Sequence, residues 1–161
     1  RFDLALFLDE VCTTFQPSFR STPHVLNIDA PSGIVLDSYP GALFQIFTNL
    51  VENAMKHAFT DDMRGQLSIE GAASGDEVVI YVSDNGRGIP DGHRAKVFEP
   101  FFTTRRDQGG SGLGLHLVHN LTTGVLGGVI DIVSISQGTR FCLRIPRVAP
   151  SASVGTQALG V

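Results

Sequence analysis

Between Phe98 and a helical pattern that starts at Leu113 lies a charged loop, TTRRDQGGSG, which with the helix start carries the spaced glycines Gly110, Gly112 and Gly114. No other segment restricts the fold as much. Glycines at a helix start expose backbone N–H groups where the helix dipole is positive, an arrangement that suits polyphosphate. The common dinucleotide turn needs a strand directly before GxGxxG, and the common phosphate loop needs Gly-Lys-Ser/Thr. Here a charged loop comes first, the spacing is GxGxG, and no such lysine follows. Both frequent nucleotide folds are disfavoured. Two readings stay open for the segment: a phosphate cradle of another kind, or a flexible linker.

The flanking patterns supply the architecture. Leu4, Phe7, Leu8, Val11 and Phe15 fall at helical spacing, and Pro17 and Pro23 are expected to end that first helix. VLNIDAP (25–31) and IVLDS (34–38) read as two strands joined at Ser32-Gly33. Ser38 can cap, and Pro40 can open, a long helix to about Ala58. QLSIEGAA and EVVIYVSD form a hairpin pattern across Ser74-Gly75-Asp76, as do VIDIVS and TRFCLRI across Gln137-Gly138. A short helix is expected near 91–98 and another from Leu113 to Leu126. Hairpins separated by helices imply an α+β fold, with helices on one face of a mixed sheet. From Arg147 the chain turns small and aperiodic, so residues 1–146 are expected to form one domain, with 1–20 as its lead-in and 147–161 as a flexible tail.

On the long helix, Leu43, Ile46, Phe47, Leu50, Val51, Ala54 and Ala58 make one broad apolar face. Asn49, Asn53 and Lys56 lie at i, i+4 and i+7 on another, within roughly 60° of one another. Amide oxygens are hard ligands that suit Mg²⁺, and a lysine beside them can meet phosphate as a point charge. The same residues also make an ordinary solvated face, so the helix alone leaves both open. Asp84 ends an apolar strand before Asn85-Gly86-Arg87-Gly88. An ionised Asp offers acceptors only and could take a hydrogen bond from an exocyclic amino group such as that of adenine. A plain Asp-Asn-Gly turn accounts for the sequence equally well.

A net charge of −4 without a basic run gives no footprint for nucleic acid. Cys12 and Cys142 lie far apart without metal-ligand spacing, which makes a reduced, cytoplasmic setting the expectation. No stretch approaches the roughly 18 apolar residues of a membrane span. The chain starts at Arg1 and is expected to be part of a longer protein, which leaves room for an inner-membrane anchor elsewhere in it.

Taken together and in this order, NLVENAMKH, DNGRGIP, FEPFFTT and GGSGLGL resemble the four boxes of the histidine-kinase branch of the ATPase superfamily that includes gyrase, the heat-shock chaperone and mismatch-repair ATPases. The likeness spans residues 39–146. It implies a Bergerat-type two-layer α/β sandwich with a mostly antiparallel sheet, and ATP held between the long helix and a mobile lid at 99–111. It also implies Mg²⁺ on Asn53 assisted by Asn49, Lys56 near phosphate and His57 near the sugar or base. Asp84 is expected to read adenine in a pocket shaped by Gly86, Gly88 and Ile89. The segment Gly110, Ser111, Gly112, Leu113 and Gly114 is expected to cradle phosphates, and Thr103, Thr104 and Arg105 to meet the γ-phosphate.

The hydrolysing relatives place a glutamate one turn before the magnesium asparagine as general base; here that position is Asn49, and an amide cannot take a proton at neutral pH. In histidine kinases the acceptor is a His followed by an acidic residue, and none of the five histidines fits, being followed by Val25, Ala58, Arg94, Leu117 and Asn120. The resemblance therefore implies transfer of the γ-phosphoryl group to a histidine on an upstream dimerisation domain, with a response regulator served indirectly. It also implies a monomeric isolated domain within a homodimeric parent. Two other readings are a nucleotide-sensing module without catalysis and a protein-serine kinase of the same superfamily.

Overall fold

The computed structural model describes residues 1–103, 112–133 and 135–152. Its elements in order are β1 (Phe2–Asp3), α1 (Leu4–Arg20), β2 (Val25–Asp29), β3 (Val35–Leu36) and α2 (Pro40–Asn53), which a π-turn (Ala54–Ala58) extends. There follow β4 (Gln66–Ser74), β5 (Glu77–Asp84), a 3₁₀ turn (Asp91–His93), α3 (Gly114–Asn120) with a second π-turn (Leu121–Val125), β6 (Val129–Val133) and β7 (Thr139–Pro146). The main sheet has the order β2-β4-β5-β7-β6; β2 runs parallel to β4 and every other pair is antiparallel.

The core follows from the period-2 pattern of the strands. Val78, Ile80 and Val82 alternate inward on β5, and the register sets Ile80 opposite Leu143 and Val82 opposite Phe141. Against this face pack the apolar stripes of α1 (Leu4, Leu8, Val11) and α2 (Leu43, Ile46, Phe47, Leu50), all buried. A two-layer α+β sandwich with a mostly antiparallel sheet is the result, as the hairpin-and-helix pattern predicts.

Several local expectations change. Helix α1 continues through Pro17 to Arg20, because Phe19 is buried in the core and its burial holds the last turn. VLNID and VL do not form a hairpin: β2 joins β4, while β3 pairs with β1. The turn between them folds back on α1, where the Gly33 N–H donates to Asp3 Oδ2 at 2.7 Å. Ser38 does not cap α2; the capping position is Tyr39, and the Ser38 hydroxyl is buried with no hydrogen-bond partner among the described residues. The helix expected at 91–98 is reduced to one 3₁₀ turn and a run of tight turns. Pro100 has no N–H to donate, which disfavours a continuing helix there.

The packed chain also reaches past the boundary expected at 146. The Asp37 N–H donates to the Arg147 carbonyl, the Ala149 N–H returns to Asp37, and the Tyr39 hydroxyl donates to the Pro150 carbonyl. Backbone pairing of this kind needs no periodic sequence, which is why composition missed it.

Candidate functional site: a cleft between two helices and a strand end

Helix α2 ends in a π-turn, a widening often found at functional sites. The turn frees two carbonyls, and both are used. Ala58 O accepts from the Arg87 N–H at 3.1 Å, and His57 O accepts from Arg87 Nε at 2.8 Å. The end of α2 is thereby stitched to the turn that follows β5. A cleft of about 980 Å³ opens along this seam, closed on its far side by the start of α3 and by residues 90–103.

Asp84 sits at the cleft floor, only 7% exposed, where β5 ends opposite Thr139 of β7. Its Oδ1 accepts from the Gly86 N–H at 2.9 Å and from the Thr139 N–H at 3.3 Å. Both donors use one oxygen, which leaves Oδ2 as the acceptor for a ligand. Burial pushes the carboxyl pKa above its ordinary value, and the two N–H bonds oppose that rise without cancelling it. A carboxylate held this way is a selective acceptor for an amino group.

Along the α2 wall of the cleft, Asn49 and Asn53 stand one turn apart, and Lys56 and His57 follow toward the seam beside Asp84. Asn49 Nδ2 donates to the Gln45 carbonyl at 2.8 Å, so its amide oxygen is the group presented outward. That oxygen faces Gly114, where an added Cβ would come within 3.2 Å of it; glycine keeps the space between α2 and α3 open. Glu52, also in the cleft, lies 3.6 Å from Lys56 in an exposed i,i+4 pair. Among the described residues no cluster of three His, Cys, Asp or Glu side chains could cage a metal. Two amide oxygens do fit Mg²⁺, which keeps most of its octahedron for water and phosphate oxygens.

The structure thus brings Asn49, Asn53, Lys56, His57, Asp84, Gly88 and Ile89 to one cleft, together with Thr103, Gly112, Leu113 and Gly114. Gly86 is not among the lining residues: it is buried beneath the cleft against Ala58, so its part is packing and not contact. Thr104, Arg105, Gly110 and Ser111, and with them most of the expected lid, lie outside the described residues. Sequence reasoning missed Thr139, which reaches Asp84 only through the β5–β7 register, and it missed His116 and Asn120 on the cleft side of α3. For the last two a signal existed: both follow the glycine run at helical spacing.

Curated proteins similar in sequence include sensor kinases. The alginate biosynthesis sensor protein KinB of Pseudomonas aeruginosa is 39% identical over 103 residues, covering 63% of this chain and 17% of that protein. The circadian input-output histidine kinase CikA of Synechococcus elongatus is 34% identical over 153 residues, covering 90% of this chain and 20% of that protein. The chain therefore spans only about a fifth of these curated relatives. Among solved structures, the catalytic domain of the histidine kinase ThkA superposes with a TM-score of 0.80 at 26% identity, covering 91% of this chain and 94% of that one. Residues 39–149, more than half of the chain, match the histidine kinase-, DNA gyrase B- and HSP90-like ATPases, and the chain belongs to that family.

Proposed function

We propose that this chain binds Mg·ATP and delivers its γ-phosphoryl group to a histidine on a separate dimerisation domain of a longer sensor kinase. The observation that carries the reading is one cleft that brings a buried carboxylate together with two asparagines and a lysine. Asp84 Oδ2 accepts from the adenine amino group, Lys56 meets the phosphates, and Asn53 assisted by Asn49 would hold Mg²⁺. When bound there, Mg²⁺ would supply positive charge against the phosphates. The protein's own contribution is to position the chain of phosphates so that a nitrogen lone pair attacks in line, the bond to the β–γ bridging oxygen breaks, and ADP leaves. A structural neighbour, ShkA, was solved in complex with the nucleotide AMPPNP.

No helix of the described residues is long and apolar enough to cross a membrane. We assign the domain to the cytoplasmic part of its parent, with a response regulator reached only through the phosphorylated dimerisation domain. The test supplies the parent's histidine-bearing helical domain in trans with γ-labelled ATP and Mg²⁺. Label should pass to that domain as acid-labile phosphohistidine and should vanish on chelation of the metal. Acid-stable phosphoserine, or nucleotide binding without any transfer, overturns the reading.

The amide at Asn49 sets a second expectation. With no carboxylate one turn before Asn53, the chain alone should hydrolyse ATP well below the ~1 s⁻¹ at which typical enzymes begin. Turnover of a dedicated ATPase that disappears in Asn49→Ala contradicts this assignment.

A further inference from the structure

One wall of the cleft, residues 90–103, is almost without regular structure. Pro90, His93, Val97, Phe102 and Thr103 line the cleft from it. Its backbone bonds run inward: His93 to Pro90, Arg94 to Asp91, Lys96 and Val97 to His93, Glu99 to Lys96, and Phe102 to Glu99. A wall bonded to itself needs an external tie if it is to stay in place against a ligand.

Phe98 supplies the point of attachment. Its ring lies 6.2 Å from that of Phe141 on β7, edge-on, and 5.8 Å from that of His119 on α3. Its carbonyl oxygen lies 3.1 Å from His116 Nδ1, and His116 Nε2 lies 3.1 Å from Asn120 Nδ2. A carbonyl only accepts, so His116 Nδ1 carries the proton and Nε2 presents its lone pair to the Asn120 amide. The three groups form one directional chain along the first two turns of α3, and both helix residues border the cleft.

We propose that His116 is a positioning residue for nucleotide binding: by donating to the Phe98 carbonyl it fixes the irregular wall at the distance from α3 that the ligand needs. The inference rests on the ATP reading of the cleft. Asn120 orients the imidazole and selects its tautomer; it does not itself reach the wall.

Side-chain geometry gives a sharp test. The amide nitrogen of Asn occupies the place of His Nδ1, two bonds from Cβ, whereas that of Gln occupies the place of Nε2. Binding of a fluorescent ATP analogue to the whole chain in the presence of Mg²⁺ is measured for the parent and for His116→Ala, His116→Asn and His116→Gln, with melting temperatures alongside. The Ala and Gln variants should bind about five- to tenfold more weakly, the worth of one net hydrogen bond. His116→Asn should return to within about twofold of the parent. Equal binding by Ala and parent, or an Asn variant as weak as Gln, overturns the proposal. If the Ala variant does not fold, the Asn and Gln pair decides alone. A parent chain that binds no analogue condemns the nucleotide reading instead, so the two failures are separable.

Discussion

Asp84→Asn should lower ATP affinity at least ~100-fold while leaving the domain folded and no less heat-resistant than the parent. The two effects have one cause. An Asn at this site keeps an oxygen for the Gly86 and Thr139 N–H groups, so the floor of the cleft survives. What turns toward the ligand is now an NH₂, a donor facing the amino group of adenine, and the mismatch removes a charge-assisted bond and leaves a buried donor unpaired. Stability moves the other way. Burial raises the Asp84 pKa above its unfolded value, so the native state holds the proton more tightly than the unfolded chain. Stability contributed by this group is therefore greatest at low pH and falls as pH rises from the unfolded pKa through the raised native one. At neutral pH the buried charge costs stability, and Asn abolishes that cost.

The same group fixes the pH profile of binding. The proton enters at Oδ2, because Oδ1 is engaged by two N–H donors. Affinity should fall on acidification through the raised pKa, and Asp84→Asn should be flat over that range. Isothermal titration with an ATP analogue across mildly acidic pH, with thermal melts of both proteins at neutral pH, measures all of this. An Asn variant that binds like the parent would mean that Asp84 is not the acceptor for the adenine amino group, and one that melts clearly lower would mean that the buried carboxylate does not cost the fold stability.

Gly86→Ala should damage both the fold and the site. Its backbone lies outside the left-handed region, so conformation is not the obstacle; space is. A Cβ there would collide with the Ala58 carbonyl oxygen and lie 2.6 Å from the Ala58 Cβ. That backbone cannot retreat without losing the Arg87 N–H bond that stitches the π-turn to the β5 turn. Overpacking of this kind costs about 1–3 kcal/mol, which lowers the melting temperature by roughly 2–12 °C for a domain of this size. Affinity should fall as well, since His57 and Asp84 flank the displaced seam. Gly92→Ala is the control: nothing lies within 4 Å of its Cβ position, and both readouts should stay near the parent's. Matching melts and affinities for Gly86→Ala and Gly92→Ala would sink the packing argument.

The long helix was legible because Leu43, Ile46, Phe47 and Leu50 repeat at the helical period, and the same period puts Asn49 and Asn53 on a face of their own. Both hairpins were legible from alternation around a Gly-containing turn. Alternation, however, states only which face of a strand is buried. It says nothing of which strand lies alongside, and VLNID accordingly left its expected neighbour for a parallel place beside β4.

The sequence by itself therefore determined the α+β class, the family and the Asn, Lys and Asp groups that face the cleft, because each is written in a local period or a short motif. Only the tertiary structure decided that Thr139, 55 residues away, donates to Asp84, that Gly86 serves by its thinness against Ala58, and that His116 reaches the carbonyl of Phe98. Those contacts depend on backbone pairing and close approach between segments distant in the chain, and no local pattern of side chains encodes the distance between two backbones.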